Sequence, residues 1–300
     1  MFLRDWLLIG LVWIGFPAPG RADTVTISCA GQMAQGGLVL CQAPAESTLI
    51  VFGPEGADER EVPVNSDGIA TVGIKRTEAL ELSIISKEHA PAGLTLSLEA
   101  RDDPFRTITG LDCDKVDART DEQKAHAADS WVKKQDAFAS FNDGPGASTG
   151  FLRPSKGPAS SPFGPARKYI GIGKDGEPCE RTSVHRGYDI AIPVGTEIVA
   201  PAAGTVTLGD PDLYYEGGTV FLDHGDGLVS VFLHMSEIDV VAGDEVLAGQ
   251  RLGASGNTGR TSGPHLHWAV KWRNVMSDDR SSDFYIDPAL LLELDVSALP

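Results

Sequence analysis

Gly256-Asn-Thr-Gly-Arg-Thr-Ser-Gly-Pro-His-Leu-His267 begins as a turn-rich run of Gly, Asn, Thr, Ser and Pro. It ends in a short apolar segment, Leu266 to Val270, that reads as a strand. Residues i and i+2 of a strand share a face. His265 and His267 therefore project into one groove, roughly 7 Å apart. Two histidines side by side are costly in a core and useful in a site. One can bind a metal while the other faces a substrate.

Histidine clusters around this strand. Seven histidines occur in the 300 residues, and five fall between positions 185 and 267. His185-Arg-Gly-Tyr-Asp189 offers a further imidazole and a carboxylate. On a straight strand these two would lie roughly 13 Å apart, too far to share an ion. Gly187 permits the bend that would bring them together. Val231-Phe-Leu-His234-Met-Ser236 ends an apolar strand on a histidine. Such a residue alone is more often a satisfied core histidine, and its weight comes from its company. His224, in Asp223-His-Gly-Asp-Gly227, reads as a turn residue.

Two histidines and one aspartate would make three protein ligands, the usual count for catalytic zinc, whose fourth position is open. Such an ion polarises a carbonyl and activates water. The remaining histidines could move protons or stabilise an oxyanion. No H-E-x-x-H helix is present.

The rest of the C-terminal half is dense in short β-rich runs: 190–192, 197–199, 204–208, 219–222 and 228–233. Gly195-Thr-Glu-Ile-Val-Ala200 echoes Gly243-Asp-Glu-Val-Leu-Ala248, which predicts two similar hairpin elements in one sheet. A lipoyl- or biotinyl-carrier domain would need a lysine at a hairpin tip, and none lies between Lys174 and Lys271. Towards the N-terminus, runs at 48–52, 68–74, 79–85 and 94–98 predict a small β domain over 23–110. His89 reads as a surface residue. A charged, Ala-rich stretch over 112–142 has Trp131, Phe138 and Phe141 at helical spacing and predicts a helix within a helical linker over 111–150, with His126 solvated. The last domain is placed at 151–300, and the Gly/Pro/Ser-rich run 143–161 leads into it.

Residues 1–22 read as a signal peptide: Arg4, an apolar run Trp6 to Phe16, and a small-residue tail ending at Ala22. The run is too short to span a bilayer, which needs about 20 residues. The net charge of −17 argues against nucleic acid and against an anionic membrane surface. Four cysteines, none in a C-x-x-C pair, suggest disulfides in an exported chain. Of the three possible pairings, Cys29–Cys41 with Cys113–Cys179 is favoured, the first because it is local.

His185-Arg-Gly-Tyr-Asp189, Phe232-Leu-His234-Met-Ser236 and the 256–267 stretch, in this order, resemble the signature of the lysostaphin-type (LytM-like) zinc peptidases. The resemblance runs from about Pro162 to Leu292. It implies a mainly β fold, with a C-terminal antiparallel β peptidase domain whose groove is lined by loops. It implies one zinc ion per chain, held by His185, Asp189 and His267. It implies that His234 and His265 flank the water and the scissile carbonyl. The implied substrate is peptidoglycan, cut at peptide cross-links or stems by a zinc-activated water. The alternative is a non-catalytic activator or regulator of other wall hydrolases, and such hydrolases or regulatory proteins are the further partners the resemblance admits. The N-terminal β domain and helix are similar to exported Gram-negative members, which implies a periplasmic location. Two departures stand out. Phe232 takes a position that often carries Tyr. The segment 170–182 is long, contains Cys179, and is expected to loop over the groove, tied by a Cys113–Cys179 bond to the linker helix.

Overall fold

A computed structural model describes residues 25–89, 92–113, 118–173 and 176–298. The expected signal peptide lies outside the described residues. The fold is mainly β. Seven N-terminal strands come first: β1 Ser28–Gly31, β2 Leu38–Gln42, β3 Thr48–Phe52, β4 Arg60–Pro63, β5 Ile69–Gly73, β6 Glu81–Ser86 and β7 Gly93–Ser97. They form two sheets, ordered β1-β2-β5 and β4-β3-β6-β7. Alternation builds them. Leu49 and Val51 of β3 and Leu82 and Ile84 of β6 are fully buried, while the residues between them face outward.

Strand β8 (Arg106–Asp112) and helix α1 (Asp121–Ala139) follow. Thr120 and Gln123 form a reciprocal capping box at the helix start. Its end is fixed by Arg273, which is buried and donates to the carbonyls of Phe138 and Ser140. The Arg273 guanidinium also pairs with the buried Asp223 carboxylate at 3.0 Å. His126 is not simply solvated. Its Nε2 lies 2.7 Å from the Asp212 carbonyl and its ring meets Tyr214 edge-on, because the helix lies flat against the sheet.

The C-terminal half continues with β9 Ala159–Ser161, β10 Ala166–Ile172, β11 Pro178–Val184, β12 Tyr188–Ile190, β13 Glu197–Val199, β14 Gly204–Leu213, β15 Gly217–Gly225, β16 Leu228–Met235, β17 Glu237–Ile238, β18 Glu245–Val246, β19 Arg251–Ala254, β20 Leu266–Trp272 and β21 Phe284–Ile286, then α2 Pro288–Leu291. The main sheet runs β18-β14-β15-β16-β20-β12-β9, with β21 also on β20, and every pairing in it is antiparallel.

Three local expectations are corrected. The two echoed segments fall in different sheets. Strand β13 pairs with β19, and β18 pairs with β14, so each copy joins the strand that follows the other copy. The 170–182 segment is not a loop but the hairpin β10–β11, extended by β8 in parallel on β10. Its Cys113–Cys179 bond therefore ties the hairpin to the end of β8 rather than to the helix. Cys29–Cys41 is the second bond, across β1 and β2. The strand expected at 190–192 sits two residues earlier, where it can pair with β20.

One face of the main sheet carries Trp268, Val270 and Trp272 and shares a continuous core with the N-terminal strands. Trp272 packs on Gly73, where a Cβ would approach within 2.6 Å, and its Nε1 donates to the Thr71 carbonyl at 2.9 Å. The other face carries Ala269, Val229, Val231 and Phe221, covered by Ala137 and Phe138 of α1. Among the described residues, no helix is long and apolar enough to cross a membrane.

Candidate metal centre and its histidines

Asp189 of β12 and His267 of β20 are direct cross-strand partners. That register places the carboxylate beside the imidazole, with Asp189 Oδ1 2.8 Å from His267 Nδ1. His185 precedes β12 and folds back over the bend at Gly187. Its Nε2 lies 3.1 Å from Asp189 Oδ1 and 3.2 Å from His267 Nδ1. Gly187 is needed for closeness rather than for backbone freedom: a Cβ there would sit 2.4 Å from His267 Nε2. The bend thus replaces the wide separation of a straight strand with a single meeting point.

The three donor atoms all lie within 4.8 Å of one another. Around zinc, nitrogen ligands at 2.0–2.1 Å in tetrahedral array are about 3.3 Å apart. Two of the separations here, 3.1 and 3.2 Å, fall just below that figure, and the third, 2.8 Å, is shorter by half an ångström. His185 Nδ1 donates to the Pro162 carbonyl at 2.7 Å, which leaves its Nε2 lone pair facing the group. Burial raises the Asp189 carboxyl pKa. The His185 and His267 imidazoles beside it outweigh that effect and hold it well below the usual carboxylate range. Burial first, against the pull of Asp189, lowers the pKa of His267. The two shifts favour an ionised Asp189 carboxylate and a neutral His267 imidazole, a donor set that suits a divalent ion of borderline softness.

His234 and His265 complete the cluster. Their rings are 4.9 Å apart, and His234 is 6.2 Å from His267. His265 Nε2 lies 3.8 Å from Asp189 Oδ1. Both rings are anchored through Nδ1, His234 to the Thr258 carbonyl at 2.9 Å and His265 to the Gly263 carbonyl at 2.8 Å. Thr261 Oγ1 gives its proton to Gly263 O at 2.7 Å, so towards His265 Nδ1, at 3.3 Å, it can only accept. Burial, then the neighbouring His267 and His265, pushes His234 down to about 3.

All five residues singled out in the sequence meet here, and the three histidines set aside, His89, His126 and His224, do not. His89 is exposed. His224 is fully buried, with Nδ1 on the Ala203 carbonyl and Nε2 on Ser230 Oγ, a structural arrangement. Phe232 is fully buried in the core on the sheet's other face. The anchoring carbonyls of Pro162, Thr258 and Gly263 were not legible, since backbone acceptors carry no residue signature.

Residues 183–279 match the model of peptidase family M23. Over 91 residues the chain is 41% identical to the peptidoglycan DD-endopeptidase ShyA of Vibrio cholerae, a match covering 30% of this chain and 21% of that one. The chain thus spans only about a fifth of that relative's length. The structure of a Pseudomonas aeruginosa protein described as a peptidase M23 covers 87% of this chain and 96% of its own, with 28% identity and a TM-score of 0.56. The catalytic domain of lysostaphin from Staphylococcus simulans is 30% identical, covering 45% of this chain and 92% of its own, with a TM-score of 0.35. The likeness to the Pseudomonas protein takes in the N-terminal strands as well as the histidine-bearing sheet. From this sequence match and the folded site together, residues 183–279 of this chain form a domain of the peptidase family M23 type.

Proposed function

We propose that this chain is an exported zinc-dependent endopeptidase that hydrolyses peptide cross-links or stems of bacterial peptidoglycan. The observation that carries the proposal is the meeting of His185, Asp189 and His267 at one point, with His234 and His265 beside it. A non-catalytic regulator would have no use for the complete set. Similarity to a peptidoglycan DD-endopeptidase supports the substrate class. Two disulfides support an oxidising, extracytoplasmic location, with residues 1–22 as the export signal.

His185 Nε2, Asp189 Oδ1 and His267 Nδ1 would hold one zinc ion. Bound zinc supplies Lewis acidity at the scissile carbonyl and brings the pKa of water towards neutrality. The protein's own residues do the rest. Asp189, ionised and buried, supplies the negative charge of the ligand set. His234 and His265 keep their protons on Nδ1, so each presents an Nε2 lone pair. One such Nε2 can take the proton released by the attacking water and return it to the departing amine. A protonated Nε2 can also donate to the carbonyl oxygen as negative charge develops.

The test compares zinc content and digestion of purified sacculi for the wild type, His185→Ala and His265→Ala. The wild type should hold about one zinc and release cleaved stem peptides. His265→Ala should keep the metal and lose at least about 100-fold in rate, while His185→Ala should lose both. A zinc-loaded wild type that cuts a generic peptide but leaves sacculi intact would overturn the substrate.

A further inference from the structure

His234 occupies a place that simple strand alternation would deny it. In β16, Phe232 faces the core and Leu233 the other side. Alternation would return residue 234 to the core. Instead the register slips: Gly218 pairs with Met235 and Val220 with Phe232, so two residues of β15 step against three of β16. The extra residue forms a bulge, and His234 takes a left-handed φ of 66°. Met235 then resumes the core face. The bulge is what turns the His234 ring towards His265 and His267. A left-handed non-glycine residue persists only where its surroundings hold it.

Thr258 supplies that hold from both of its ends. Its hydroxyl donates to the Met235 carbonyl at 2.8 Å and accepts from the Gly218 amide at 3.0 Å. These are the two residues that close the bulge. Its own carbonyl receives His234 Nδ1–H at 2.9 Å. A carbonyl can only accept, so the contact requires the proton on Nδ1. The neighbouring Gly217 makes room, since a Cβ there would lie 2.3 Å from Thr258 Oγ1.

We infer that Thr258 is a positioning residue for the proposed hydrolysis: its hydroxyl clamps the bulge that carries His234, and its carbonyl fixes the tautomer that presents Nε2 to the substrate. The inference rests on the function proposed above. Its test uses the full-length, zinc-loaded protein and two variants, Thr258→Val and Thr258→Ser. Zinc content, kcat and KM on a purified cross-linked muropeptide are measured, together with side-chain 15N spectra of the histidines at neutral pH. Thr258→Val should keep the metal and its KM within about twofold, lose about ten- to a hundredfold in kcat, and lose the Nδ1–H signature of His234. Thr258→Ser, which keeps the hydroxyl, should restore both. A valine variant with wild-type kcat, or a wild-type His234 protonated on Nε2, overturns the inference. If the valine variant does not fold, the wild-type spectrum decides. If the zinc-loaded wild type leaves every wall substrate uncut, the proposed function fails, while the His234 spectra of wild type and variants still judge the clamp.

Discussion

At the scale of single residues, histidines of one chain are put to opposite uses by their surroundings. His224 sits in the same sheet as His234 yet serves the fold. Burial, only partly offset by the Ala203 carbonyl and Asp223, brings its pKa down from 6.5 to about 4. The neutral ring is therefore favoured in the folded state, whereas the unfolded chain takes up a proton near pH 6.5. Its contribution is complete above that pH and is lost as pH falls from 6.5 towards 4. Urea unfolding of the wild type should show stability falling between pH 7 and pH 5 by on the order of 2 kcal/mol more than in His224→Gln. Equal losses in the two proteins would mean that His224 is not held neutral.

Among elements, the β10–β11 hairpin is the one whose role the sequence described least well. With β8 it forms a separate three-stranded sheet, and the Cys113–Cys179 bond closes a separation of 66 residues. Loop-closure entropy assigns such a bond about 4 kcal/mol as an upper figure. Replacing both cysteines with Ser should lower Tm and open the hairpin to limited proteolysis within 166–184. Zinc content should be unchanged, because His185 is anchored by the Pro162 carbonyl and by Asp189 rather than by the hairpin. Loss of the metal in that variant would show that the hairpin itself places His185.

Across the whole molecule, the N-terminal strands are built into the peptidase half. Arg101 pairs with Asp287 at 2.8 Å and donates to the Phe163 carbonyl, and Thr71 donates to Asp226. Trp272 lies at the centre of the shared core, fully enclosed. Trp272→Ala should cost about 3–5 kcal/mol and lower Tm on the order of 10 °C. Calorimetry should show one transition for the wild type, since a single core spans both halves. Two separate transitions, with only the C-terminal one moved by the substitution, would contradict that picture.

What the sequence by itself determined is which side chains gather at the candidate site and the class of the fold. Residue type and short spacing carry both. His265 and His267 two apart on a strand, His185 and Asp189 around a glycine, and His234 closing an apolar run identify the five side chains without coordinates. Short β-rich runs between turn signals mark ten of the strands, that at 190–192 two residues late. Only the tertiary structure decided where those side chains meet. The Asp189–His267 pairing depends on which strands are neighbours. The approach of His185 depends on a bend whose glycine is required by a ring 80 residues away in the chain. The orientation of His234 depends on a bulge set by the register of β15 against β16. Register and bulges arise from pairing between distant segments, and backbone carbonyls such as those of Pro162 and Thr258 look alike in every residue. Local sequence therefore names the actors, and long-range packing sets their distances and tautomers.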